Sequence, residues 1–159
     1  MAVGATRTAW VTGLQRSSGG VPKLPVDRAV VRVGGMEGDR QANRKYHGGP
    51  DRALCLYAQE RLDALADDGH PLSRGTLGEN VTIAGLAWQD VRPGARLVMG
   101  GVEVEVTGFA APCRQIAQGF ADGVFSRVGE KVNPGWSRVY ARVLVEGEVA
   151  VGDPVTLRT

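Results

Sequence analysis

Arg96-Leu97-Val98-Met99-Gly100-Gly101-Val102-Glu103-Val104-Glu105-Val106-Thr107 is the stretch on which the fold turns. From 102 to 107 valines alternate with polar residues, the period of a strand with one face in a core. Gly100-Gly101 divides that run from a shorter apolar one and supplies the positive φ of a tight hairpin. The flanking sequence reads the same way. Ala9 to Gln15 makes a first strand and Arg28 to Val33 a second, ended by Gly34-Gly35. Ala53-Leu54-Cys55-Leu56-Tyr57 is a continuous apolar run, and Leu77 to Ile83 is a turn feeding a short strand. Val139 to Val145, Val149 to Val151 and Val155 to Leu157 close the sheet. Gln59 to Asp68 is a short amphipathic helix, with Leu62, Leu65 and Ala66 apolar and Gly69 at its end. Arg114 to Ala121 reads as a second helix, and Gly123 to Val132 as a further helical turn or two before Asn133-Pro134-Gly135. The expectation is one mainly β domain over residues 1–159, a closed or half-closed barrel with two or three short peripheral helices (α+β).

Composition agrees with that picture. The 159 residues are enough for a sizeable core, and 43% apolar with 23% charged content belongs to a globular chain. Glycine is the anomaly, 23 residues against a usual share of about 7%. With no Gly-X-Y period, that excess means short strands and tight turns. A net charge of +2 is too small to argue for a nucleic-acid or membrane partner. No run approaches the roughly 20 apolar residues of a bilayer span, and the first residues lack the apolar core of a signal peptide. The expectation is a reduced, cytoplasmic protein with free thiols.

The hairpin delivers one of its two cysteines to a telling place. Gly108 leads from the strand to Ala111-Pro112-Cys113-Arg114, so Cys113 sits where a strand gives way to a helix. A thiol at a helix start faces unpaired N–H groups, which favour thiolate. Cys113 is therefore a candidate nucleophile, sulfur carrier or metal ligand, against the alternative of a buried structural cysteine. Cys55, inside an apolar run, reads as a small buried hydrophobe. A zinc site is not indicated: Cys-x-x-Cys and His-x-x-x-His are absent and there are two histidines.

Gly38 to Arg52 is long, polar and without apolar period, the character of a functional loop. Within it His47 precedes Gly48-Gly49-Pro50, where glycines let backbone N–H groups approach a ligand. His47 is a candidate base for Cys113, against the plainer reading of a hydrogen-bonded loop residue. Arg40, Arg44, Lys45, Arg52 and Arg114 are candidate anion binders, with a solvated charged loop as the alternative. Glu79-Asn80 after Gly78 can offer a carboxylate and an amide to a heterocycle, or simply cap a turn. Trp136 and Arg138 line a pocket or, more plainly, pack. Phosphate-loop and dinucleotide fingerprints are absent.

Taken in order, His47-Gly48-Gly49-Pro50-Asp51-Arg52-Ala53, Gly78-Glu79-Asn80, Pro112-Cys113 and a Gly152-Asp153 before the final strand resemble the MOSC domain. This is the C-terminal domain of molybdenum cofactor sulfurases, also found as small stand-alone bacterial proteins. The resemblance covers about Val30 to Leu157. It implies a β-barrel-like fold and an essential cysteine, here Cys113, that ligates molybdenum in relatives carrying molybdenum cofactor (Mo-molybdopterin). It further implies a pocket formed by His47, Gly48, Arg52, Gly78, Glu79 and Asn80, with Arg114 as a further basic contact. The implied activity is that of a molybdenum-dependent oxidoreductase acting on small N-hydroxylated compounds. The alternative is a sulfur (persulfide) or cofactor carrier serving a desulfurase. A soft thiolate suits both. Many relatives place an arginine shortly before Pro-Cys, where this chain has Phe109-Ala110-Ala111. With no ferredoxin or flavin segment in the sequence, a reductase of this kind would take electrons from a donor protein in trans.

Overall fold

The computed structural model describes residues 8–40 and 49–159. Eleven strands run in chain order. They are β1 (Ala9–Arg16), β2 (Leu24–Val26), β3 (Arg28–Arg32), β4 (Gly35–Met36), β5 (Leu54–Ala58), β6 (Val81–Ala84), β7 (Arg96–Met99), β8 (Val102–Phe109), β9 (Val139–Val145), β10 (Gly147–Ala150) and β11 (Pro154–Arg158). The larger sheet has the order β11-β7-β8-β9-β5-β6-β1-β2, and β11 also pairs with β1. Seven strands thus close into a barrel, and β2 is an extra strand hung on β1. A second sheet, β10-β3-β4, stands beside it. The mainly β, barrel-like expectation holds, in its closed form.

The β7–β8 hairpin follows from its alternation. Val102, Val104 and Val106 are buried and the residues between them are not. Gly100 turns the chain at φ 57°, and a Cβ there would lie 2.3 Å from the Asp153 carboxylate. β5 is buried at all five positions, as a continuous apolar run requires when both faces are covered. Its two faces have different neighbours. Leu54 and Leu56 join the main core with Val139, Ala141 and Val143, whereas Cys55 joins a small separate cluster with Ala110 and Tyr140.

One α-helix is found among the described residues, α1 (Gln59–Asp67), burying Leu62 and Leu65 as its spacing requires. The helix expected over Arg114 to Ala121 is instead a 3-10 helix over Arg114–Gly119. Gly119 packs so tightly that a Cβ there would sit 2.5 Å from Leu72 Cδ2. The chain turns extended at Phe120, so a regular α-helix does not continue. A six-residue 3-10 helix has poorer hydrogen-bond geometry and a weaker dipole, so the helix-start argument for Cys113 loses most of its force. Gly123 to Val132 likewise reduces to a short 3-10 turn, Phe125–Val128. No described helix is long and apolar enough to cross a membrane.

Candidate functional site

Three segments meet on the outer face of the barrel wall. The first is the wall itself, where β5 and β9 pair with Cys55 opposite Tyr140. The second is the turn before β6. There Gly78 adopts φ 82°, and a Cβ would meet Val21 Cγ1 at 2.8 Å. The third is the segment from Ala110 to the 3-10 helix, which carries Cys113. Between them lies a cavity of about 50 Å³, lined among others by Cys55, Gly78, Asn80, Cys113, Arg138 and Tyr140. A groove of about 370 Å³ adjoins it, sharing Val21, Lys23 and Gln115.

Asn80 fixes the turn. Its Oδ1 accepts the Cys55 N–H at 3.0 Å, and its own N–H donates to the Cys55 carbonyl at 2.7 Å. Its Nδ2 donates to Asp39 at 2.9 Å. Asp39 also holds Lys23 through both carboxylate oxygens at 2.6 and 2.7 Å, and Lys23 is itself buried on the cavity. Glu79 is fully buried. Burial pushes its carboxyl up to about 7 from an ordinary 4.5, against the lowering influence of its own and Gly75's N–H groups, Arg138 and Thr82. Its Oε2 accepts the Thr82 hydroxyl at 3.2 Å, while Oε1 has no partner among the described residues.

Cys113 is half-buried and unpaired, with extended backbone just before the 3-10 helix. Cys55 is buried, and loss of hydration pushes its thiol up to about 11. Burial, with the Cys55 thiol second, pushes the Tyr140 hydroxyl up to about 12. Both make poor anions at neutral pH, and of the two thiols Cys113 is the one that solvent reaches more readily.

The sequence treated Arg138 as packing, and the structure puts it on the cavity. The segment before β9 is pinned at three points. Tyr57 donates its hydroxyl to the Trp136 carbonyl at 2.7 Å, Trp88 donates Nε1–H to the Ser137 carbonyl at 2.8 Å, and the Ala110 N–H donates to the Arg138 carbonyl at 2.9 Å. Arg138 Nη1 then donates to the Leu77 carbonyl at 2.8 Å and Nη2 to the Ala111 carbonyl at 3.4 Å. One guanidinium therefore ties the Gly78 turn to the Cys113 segment. It brings a cation to the place where Ala110 and Ala111 leave one out. Arg138 precedes β9, and no local pattern of the sequence marks the two carbonyls it reaches.

The remaining candidates lie as follows. Gly78 and Asn80 line the cavity with Cys113; Glu79 is buried in the same turn and is not one of the lining residues. Arg52 is exposed, in a 3-10 turn over Pro50–Arg52, with its guanidinium 5.4 Å from the centre of the Tyr140 ring. Arg114 is exposed and is not one of the lining residues. Arg40 is exposed, with its N–H on the Ser17 carbonyl. His47, Gly48, Arg44 and Lys45 lie outside the described residues. Among the described residues no group of three or more His, Cys, Asp or Glu side chains is placed to hold a metal by itself.

A β-barrel with a half-buried thiol and a Gly-Glu-Asn turn on its outer wall defines a class, and comparison with known proteins gives the same one. The family model for the MOSC domain matches residues 43–156, and the chain belongs to that family. YflK of Bacillus subtilis is 36% identical over 135 residues, covering 84% of this chain and 60% of that protein. YiiM of Escherichia coli is 29% identical over 143 residues, covering 86% and 62%. The chain thus spans about three-fifths of the length of these two relatives. The crystal structure of YiiM from Geobacillus stearothermophilus superposes with a TM-score of 0.71 at 26% identity, covering 95% of this chain and 75% of that one.

Proposed function

We propose that this protein binds molybdenum cofactor with Cys113 as the protein ligand to the metal, and that it reduces N-hydroxylated compounds. The observation that carries the reading is the cavity itself, in which an available thiol, a buried guanidinium and the Gly78–Asn80 turn converge. The donor set fits such a group. A soft thiolate suits molybdenum, and Arg138 suits an anionic ligand. The adjoining groove of about 370 Å³ adds room for an organic moiety.

When bound, the cofactor would supply two-electron chemistry at the metal. Cleaving one N–O bond of an N-hydroxylated amine takes two electrons and two protons and releases the amine and water. The electrons come from a donor protein in trans. The chain's own residues then have defined tasks. Cys113 holds the metal. Asn80 keeps the turn against the wall through Cys55, and the buried wall of Cys55 and Tyr140 excludes water from the thiol's inner side. In the reduced, cytoplasmic setting we assign to it, both thiols stay unpaired. Arg52, Glu79, Arg114 and the His47–Gly48 segment belong to the proposal as groups around the same cofactor, with His47 as a proton-transferring group.

The test is metal content. Protein purified from a host that makes the cofactor is expected to carry molybdenum, and Cys113→Ala to carry none. Absence of molybdenum from both would sink the reading. If incubation with a cysteine desulfurase then added one sulfur to Cys113 in metal-free protein, the chain would be a persulfide carrier instead.

A further inference from the structure

Two cations are buried on the cavity, and they are not equivalent. Lys23 is neutralised by both oxygens of Asp39, which also accepts from Ser17 N–H and Asn80 Nδ2. Arg138, 6% exposed, is in no such contact ion pair, and favours ionisation of the buried Glu79 only at longer range. Among the described residues no carboxylate stands within 4 Å of its guanidinium; two of its nitrogens reach carbonyls and Nε–H reaches nothing. Carbonyl oxygens satisfy donors without cancelling charge. A buried ion compensated only in part is costly, and a guanidinium in a protein does not escape by losing its proton. Glu79 supplies part of the counter-charge, and the rest is left to whatever enters the cavity.

The size of the space limits what that is. About 50 Å³ beside Cys113 has room for a tetrahedral oxyanion or the oxo-bearing end of a metal centre. The guanidinium fork matches oxyanion geometry, and Cys113 shares the cavity. We propose that Arg138 is the anion-receiving residue of this site, holding a metal-oxo oxyanion of the molybdate type beside Cys113. This deepens the cofactor reading, resting on it for the choice of molybdenum. The anion site itself stands on the unpaired Arg138. The exposed Arg114, the candidate nearest in sequence to Cys113, is not the residue that does this.

The test needs no turnover. Full-length protein from a host unable to make the cofactor is alkylated at Cys113 with iodoacetamide, with sodium molybdate or sodium phosphate titrated in. Molybdate is expected to slow alkylation in the wild type and in Arg158→Gln, a control at an exposed position of β11. In Arg138→Met the molybdate concentration needed should rise about tenfold or more, the loss of a charge-assisted hydrogen bond. Should Arg138→Met not unfold cooperatively, Arg138→Lys carries the test, with weakened protection expected because the fork is gone. Unchanged protection in the Arg138 variant tested, or no protection in the wild type, overturns the proposal. Phosphate protecting as well as molybdate overturns the metal-oxo assignment in favour of a phosphoryl site. Metal content decides the cofactor reading separately: protein that loads molybdenum yet shows no Arg138-dependent protection refutes this inference alone. Arg138-dependent protection in a chain that never loads molybdenum refutes the cofactor reading alone.

Discussion

Cys55 and Cys113 line the same cavity and carry the same side chain, yet they belong to different regions of the molecule. Cys55 is part of the wall. Its strand is buried at every position, its backbone is bonded on both sides by Asn80, and its thiol is pushed up to about 11. Cys113 is on the segment laid over the wall, half-buried, and next to a short 3-10 helix. The wall supplies rigidity and the covering segment supplies chemistry. A reactive group is easier to expose on a segment that the core does not depend on.

The largest effect expected from this contrast is kinetic. In native protein an alkylating reagent should modify Cys113 while Cys55 waits for the wall to open. For a stability of about 5 kcal/mol or more, the two rates differ by at least ~1000-fold. Mass spectrometry of time points in iodoacetamide reads this directly, and comparable rates would abolish the distinction.

Next in size, Leu56→Ala on the wall should cost about 2–5 kcal/mol in urea unfolding, because a fully buried leucine leaves a cavity that its neighbours fill only in part. A cost below about 1 kcal/mol would mean that the wall is less tightly packed than it looks.

Glu79 gives an effect of the order of 3 kcal/mol, spread over pH. Its folded value of about 7 lies above the unfolded 4.5. Stability from this group is therefore full below about pH 4.5 and is lost as pH rises to about 7, where the buried carboxyl finally ionises. Glu79→Gln should remove that fall. Unfolding curves at pH 5 and pH 7.5 for both proteins check it, and an equal fall in the variant would place the titration elsewhere.

The smallest effect belongs to Cys113. Cys113→Ala should change stability by less than about 0.5 kcal/mol, since the side chain is half-buried and unpaired among the described residues. A loss as large as that of Leu56→Ala would make Cys113 a structural residue and collapse the comparison.

The wall was easier to read from the sequence than the segment over it. Alternation from Val102 to Val106, the Gly100-Gly101 turn and the apolar run at Cys55 each carry a pattern that a strand cannot avoid. The covering segment carries a weaker one. Ile116 and Phe120 have helical spacing, and only the contact of Gly119 with Leu72, forty-odd residues earlier in the chain, reveals why the turn tightens. Gly78, Asn80 and Cys113 were legible as residues of interest because Gly-Glu-Asn and Pro-Cys are short local motifs that stand in a family's order. Arg138 was not, because its meaning lies in two carbonyls, of Leu77 and Ala111, that no local pattern brings near it. A buried cation is recognised by what fails to accompany it, and that is a property of space.

The pairing of β1 with β11 has a consequence for how this chain must be assembled and altered. Ala9 lies opposite Val155, so the seam of the barrel joins residues almost a full chain length apart. The ring cannot shut until both are present, which makes that seam the contact of highest loop-closure entropy and a natural late step in folding. It also leaves the first and last strands of the ring as neighbours. Linking them with a short tether and cutting at an exposed turn such as Gly94 would keep every strand pairing while reversing the order in which the seam and the hairpin are made.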